Sequence, residues 1–165
     1  MPTYFIPLVV AMLAALSVPS PVLGQAPTTA VEARAVVQEM VDVSNEIVAA
    51  ERERPAIDAR WEDLQGRIRA FNAAQPCRYP PGRPEVCHPN AERGRILNQE
   101  HDGLVAERAR LPNLRSRRNM LLTRLRLAPL LGGLQEWRDR VVACANLPNA
   151  VAAAACLQRE WERYP

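Results

Sequence analysis

A row of apolar side chains at alternating steps of four and three residues dominates this sequence: Val36, Met40, Val43, Ile47, Ala50, Ile57, Trp61, Leu64, Ile68 and Phe71. A period near 3.5 puts them on one stripe of an α-helix and is the signature of a helix packed lengthwise on another, as in a coiled coil. Arg54 is the position in this register that breaks the row, and Pro55 follows it. Proline cannot donate to the preceding turn and crowds it. The pattern therefore predicts one long helix kinked at Pro55, or two helices stacked end to end. Counted from Val31 to Ala74, it would be roughly 65 Å long.

The stretch 75–90 holds five prolines and a glycine and must be a loop, with Cys77 and Cys87 near its ends. Asn90 is a fair N-cap for a second helix, with Glu92 in its first turn. Leu97, Leu104 and Leu111 repeat every seven residues along it, with His101 and Arg108 between them. Pro112 interrupts; the row resumes, with a slipped register, at Leu114, Arg118, Leu121 and Leu125. Pro129 and Gly132-Gly133 end this helix. Two shorter helices are predicted beyond it, Leu134–Ala145 and the alanine-rich Ala150–Arg163, joined by a turn at 146–149.

Folding the two long helices back on each other about the centre of the loop brings Cys77 opposite Cys87 and Pro55 level with Pro112. Charges agree with that register. Glu46, Glu53, Arg60 and Arg67 would face Arg124, Arg117, Glu107 and Glu100, all of opposite sign. Each exposed pair contributes roughly 0–1 kcal/mol, but together they select orientation. The expected fold is all-α. A long kinked, coiled-coil-like antiparallel helical hairpin spans 31–128, and a C-terminal helical hairpin spans 129–165. The same seam could also be satisfied between chains, as a homodimer.

Residues 1–24 carry no charged side chain, and Tyr4 to Val18 is almost wholly apolar before Pro19 and Pro21. The run is short for a membrane span and reads as a signal peptide, cleaved after Gly24 or after Ala26; an uncleaved anchor is the alternative. Cleavage would leave no stable transmembrane anchor, and a disordered lead-in at 25–30. The chain is thus expected to be periplasmic or secreted. Four cysteines in an exported chain read as disulfides. Three pairings are possible, and sequence proximity favours Cys77–Cys87 and Cys144–Cys156. Their spacings, with His88 and His101, match no zinc motif, so no metal or cofactor is expected.

Catalytic motifs are absent from the sequence. Beyond residue 29 the hydroxyls of serine and threonine are Ser44, Ser116 and Thr123, and no Gly-x-Ser-x-Gly, His-Glu-x-x-His or phosphate-binding loop occurs. His101 falls at a seam position facing Leu64, where an interfacial histidine is expected. Trp61 lies in the seam near Leu104 and Arg108, as a core indole covered by an arginine stem. All 21 basic residues are arginine, a codon-composition effect, and a net charge of +3 does not by itself argue for nucleic acid. Seven of these arginines, at 108, 110, 115, 117, 118, 124 and 126, fall in nineteen residues with no acid among them. Such a segment is a solvated face partly neutralised by Glu46 and Glu53, or a docking surface for an anion.

Trp137, Asp139, Cys144, Cys156-Leu157, Trp161 and Tyr164 resemble the C-terminal signature of the LprI-like lysozyme-inhibitor family, in which a tryptophan precedes a cysteine and a later Cys-Leu. The tryptophan-to-cysteine spacing differs here. The resemblance implies a periplasmic binding or inhibitory role. The expected function is a non-enzymatic interaction or scaffold protein of the periplasm or envelope, binding a protein or an anionic envelope component. Contact would run through Arg110, Arg115, Arg118 and Arg126, left over from the ion pairs, and through Arg78, Tyr79 and Arg83 on the clamped loop. An enzyme inhibitor or chaperone-like binder is the alternative, and an enzyme of unknown class a third reading.

Overall fold

The computed structural model describes residues 25–74 and 91–164, and these are all-helical, with no strand among them. Helix α1 runs Ala30–Ala74, α2 Ala91–Arg126, α3 Gly133–Ala145 and α4 Ala150–Glu162. Residues 1–24 and the loop 75–90, with the expected signal peptide and the Cys77–Cys87 pair, lie outside the described residues.

Each long helix passes through its proline as one helix, Pro55 in α1 and Pro112 in α2. Both rings are exposed, so the carbonyls four residues earlier, which lose their donor, can turn to water. Ion pairs fix how the helices lie together: Arg67 meets Glu100, Arg60 meets Glu107, and Glu51 meets Arg115. Rising numbers on α1 meet falling numbers on α2, so the two run in opposite directions. The last two pairs bracket Pro55 and Pro112, which therefore stand at one level.

The seam is buried as the periodicity predicts. Val36, Met40, Val43, Ile47, Ala50, Ile57 and Leu64 are buried, against Leu97, Leu104, Leu111, Leu114, Leu121 and Leu125 of α2. Trp61, Ile68 and Phe71 are half-buried. Arg54, the break in the row, is half-buried and bonded to Asp58 at 2.8 Å. Near the loop, a Cβ on Gly94 would stand 3.2 Å from the Phe71 ring, so glycine lets that ring lie close to α2.

Two clusters divide the core. Toward the loop, Ile57, Leu64, Leu97 and Leu104 are packed by two helices alone. At the other end α3 and α4 join, and Ala33, Val37 and Val41 are buried beside the seam. That second row, at Val37, Val41, Ser44 and Val48, doubles the apolar stripe where α4 packs on α1. Trp137 is fully buried, and its Nε1–H donates to the Glu160 carbonyl at 2.8 Å. Tyr164 meets its ring edge-on at 4.9 Å. Arg34 lies over Tyr164 and Trp161, 4.9 and 5.2 Å from their centroids, tying the end of α4 to the start of α1.

Local signals set the ends. Gly132 takes φ 58° ahead of α3, a conformation side chains disfavour. Asn149 caps α4, its Oδ1 accepting from the Ala152 N–H at 2.9 Å. The residues just ahead of α1 carry its cap. Thr29 and Glu32 form a capping box: Thr29 Oγ1 accepts from the Glu32 N–H (3.1 Å), and the Glu32 carboxylate accepts from the Thr28 and Thr29 N–H groups at 2.7 and 3.1 Å. Arg124 Nε also donates to the Gln25 carbonyl at 2.9 Å.

Cys144 and Cys156 form a disulfide across the α3–α4 turn, twelve residues apart. Replacing both by alanine should lower the unfolding free energy by about 3 kcal/mol in the chain-entropy model, and an unchanged urea midpoint would contradict this. Thr28, first through its backbone N–H and then its hydroxyl, with the Thr29 N–H next, holds the Glu32 carboxyl below its ordinary value of 4.5. A lowered acid stabilises above its ordinary value and loses that contribution as pH falls through the folded value. The Thr28 and Thr29 amide resonances should therefore titrate with a midpoint below 4.5, and Glu32→Gln should abolish the titration.

Candidate functional site

The basic segment of α2, 108–126, lies along α1, and the structure sorts its seven arginines into two groups. Four find carboxylates on α1. Arg108 Nε stands 3.4 Å from Asp58 Oδ1, Arg110 is 3.3 Å from Glu53, Arg115 2.8 Å from Glu51 and Arg117 2.6 Å from Glu39. Arg118 and Arg126 make no ion pair or hydrogen bond among the described residues, and Arg124 bonds only the Gln25 carbonyl.

This corrects two of the expected pairs. Arg60–Glu107 and Arg67–Glu100 form as expected, but Glu53 takes Arg110 rather than Arg117, and Arg124 turns to the backbone rather than to Glu46. The reason is that α2 stays one helix through Pro112. Arg110 and Arg117, seven apart, share one edge of it, and Arg115 lies on the other edge, next to Leu114. Glu51 and Glu39, outside the expected pairing, then come into reach. Consequently Arg110 and Arg115, expected to be left over, are paired. Arg118 is half-buried in the seam, and Arg126 is exposed. Arg78, Tyr79 and Arg83 lie outside the described residues.

A groove of about 820 Å³ opens on the outer side of this segment. Arg115, Arg117, Arg124 and Glu39 contribute its charge, and Met120 and Leu121 its apolar wall. Arginines around an apolar floor suit an anion carrying apolar surface, because a guanidinium can hydrogen-bond an oxyanion while its stem covers carbon.

Trp61 is placed as its seam position predicts, packed on the Leu64–Leu104 cluster, with the Arg108 guanidinium 4.6 Å above its ring. His101 tilts against the same ring at 5.2 Å, and its Nδ1 lies 3.3 Å from Asp102 Oδ1. Ser44 is buried on α1, and its hydroxyl has no partner among the described residues; the Thr123 hydroxyl donates to the Asn119 carbonyl at 3.0 Å. Among the described residues, no group of three or more His, Cys, Asp or Glu is placed to hold a metal ion.

No protein-family model matches the chain, and neither the curated proteins nor the solved structures contain a match.

The stack of Arg108 on Trp61 makes a local prediction. Arg108→Ala removes a cation–π contact and the neighbour of Asp58, and should destabilise by about 1 kcal/mol in urea unfolding. Arg108→Lys should cost less. Equal stability of the alanine variant and the parent would show that the stack contributes nothing.

Proposed function

We propose that this chain is an exported, non-enzymatic interaction protein of the bacterial periplasm or envelope, which binds an anionic partner through the arginine face of α2. One observation carries the reading. Seven guanidiniums share 108–126 without an acid, and α1 supplies carboxylates to only four of them. Among the described residues, Arg118, Arg124 and Arg126 remain without a carboxylate toward one end of the helix. A like-charged surface is costly to leave unscreened and attracts counter-charge.

Export is supported by the uncharged, apolar residues 1–24 and by a disulfide that persists in an oxidising compartment. In this reading α1 and α2 form a hairpin bent at the shared level of Pro55 and Pro112. A Cys77–Cys87 bond would clamp the loop 75–90 and present Arg78, Tyr79 and Arg83 as a second contact. A rigid loop on a helical stalk is a natural docking point.

The test is capture from a native envelope fraction at low and moderate salt. Parent protein should retain material whose binding weakens as salt rises. The triple variant Arg118→Glu, Arg124→Glu, Arg126→Glu, checked for helical content by circular dichroism, should lose most of it. Capture by the triple variant equal to that of the parent would remove the arginine face from consideration.

A further inference from the structure

Three large apolar side chains stand exposed at the end of α2 and just beyond it. Met120 is 54% exposed, Leu127 67% and Leu131 82%. Met120 and Leu127 are seven residues apart, and Leu127 continues the last turn, its N–H donating to the Thr123 carbonyl at 3.2 Å. They therefore share one stripe of the helix, opposite the buried Leu122 and Leu125. Leu131 follows in the connection to α3. Arg124 and Arg126 stand near Leu127.

The same end of the molecule receives the chain. Arg124 holds the Gln25 carbonyl, and the 24 residues before Gln25 are without charge and largely apolar. The acids here are partly engaged: Glu32 is turned into its cap, and Glu160 is held by Arg140 at 2.9 Å and Arg163 at 3.6 Å. Glu136, in the first turn of α3, is exposed.

We propose that this end rests on an anionic lipid bilayer. Leu127 and Leu131, with Met120 behind them, enter the boundary between headgroups and acyl chains, and Arg124 and Arg126 bind the headgroup phosphates. Burying leucines that stand so far into water is favourable, and arginines beside them can keep their guanidiniums at phosphate depth while their stems cover apolar surface. Charge complementarity and the exposed apolar side chains together favour a bilayer: a soluble polyanion would use the arginines alone. The inference rests on the reading of the α2 arginines as an anion-binding face, and names the anion.

The experiment uses the chain as released by an exporting host, its N-terminus read by mass spectrometry. It is sedimented with vesicles of phosphatidylcholine alone and of phosphatidylcholine mixed with phosphatidylglycerol. The parent should partition more strongly onto the mixed vesicles, less so as salt rises. Leu127→Ser with Leu131→Ser should lower that partition at least about tenfold and leave the melting curve unchanged, since both side chains are exposed. If the chain stays in solution with both vesicle types, or the serine variant binds as tightly as the parent, the bilayer is overturned as the occupant. Arginine-dependent capture from the envelope fraction would in that case still support the anion-binding face, with a protein or soluble polymer as its partner. Capture that does not depend on these arginines, together with vesicle partition that does not respond to salt, would overturn both.

Discussion

Burial of the α1 stripe against the leucines of α2 is the contact on which the rest of this molecule depends. Isolated helices are marginal in water, so α1 and α2 owe their stability to packing rather than to propensity. Met40, Ile47 and Leu64 on one side, with Leu104, Leu121 and Leu125 on the other, remove that stripe from water along the whole pair. The prolines are tolerated because they fall on the outside of it. The ion pairs along its edges are exposed and individually weak. They hold register on a pair whose attraction comes from the apolar stripe.

The contact is not uniform along its length. Toward the loop, two helices alone cover Ile57, Leu64, Leu97 and Leu104. At the other end α3 and α4 add a second layer, with Trp137 fully buried and its indole bonded to a carbonyl of α4. A second apolar row on α1 gives α4 its seat, and the alanines of α4 bring the backbones near. The disulfide, the cap of α1 and the Arg34 stack all lie in this four-helix part. The larger of the two core clusters and these ties therefore fall in the same part of the molecule.

Charge is distributed over this frame in a way that bears on function. Acids of α1 pair with four arginines of α2, and Arg118, Arg124 and Arg126 have no carboxylate partner among the described residues. At the end of α2 and just beyond it, Met120, Leu127 and Leu131 are exposed. A face that is cationic and apolar together suits a surface that is itself anionic outside and apolar beneath. The proposed export of the chain would put such a surface within its reach.

Much of this was legible in order of residues alone. The alternation of fours and threes from Val36 to Phe71 determined a helix and its buried stripe, because periodicity and helical geometry are the same statement. The leucines at 97, 104 and 111 marked its counterpart, and the short separation of Cys144 and Cys156 favoured the bond that the structure shows. Register beyond Pro112 was decided only by the tertiary structure. A proline tells nothing of whether the turns on either side of it stay in phase; packing on α1 does, and it gave Arg110 and Arg115 to Glu53 and Glu51. The cap at Thr29 was written as a threonine three residues before a glutamate, but the row of Val37, Val41 and Val48 acquired its meaning from α4. Which arginines stay without acids is likewise a property of the assembled helices. A charge is free or paired according to what stands within a few ångströms, and distance along the chain does not measure that.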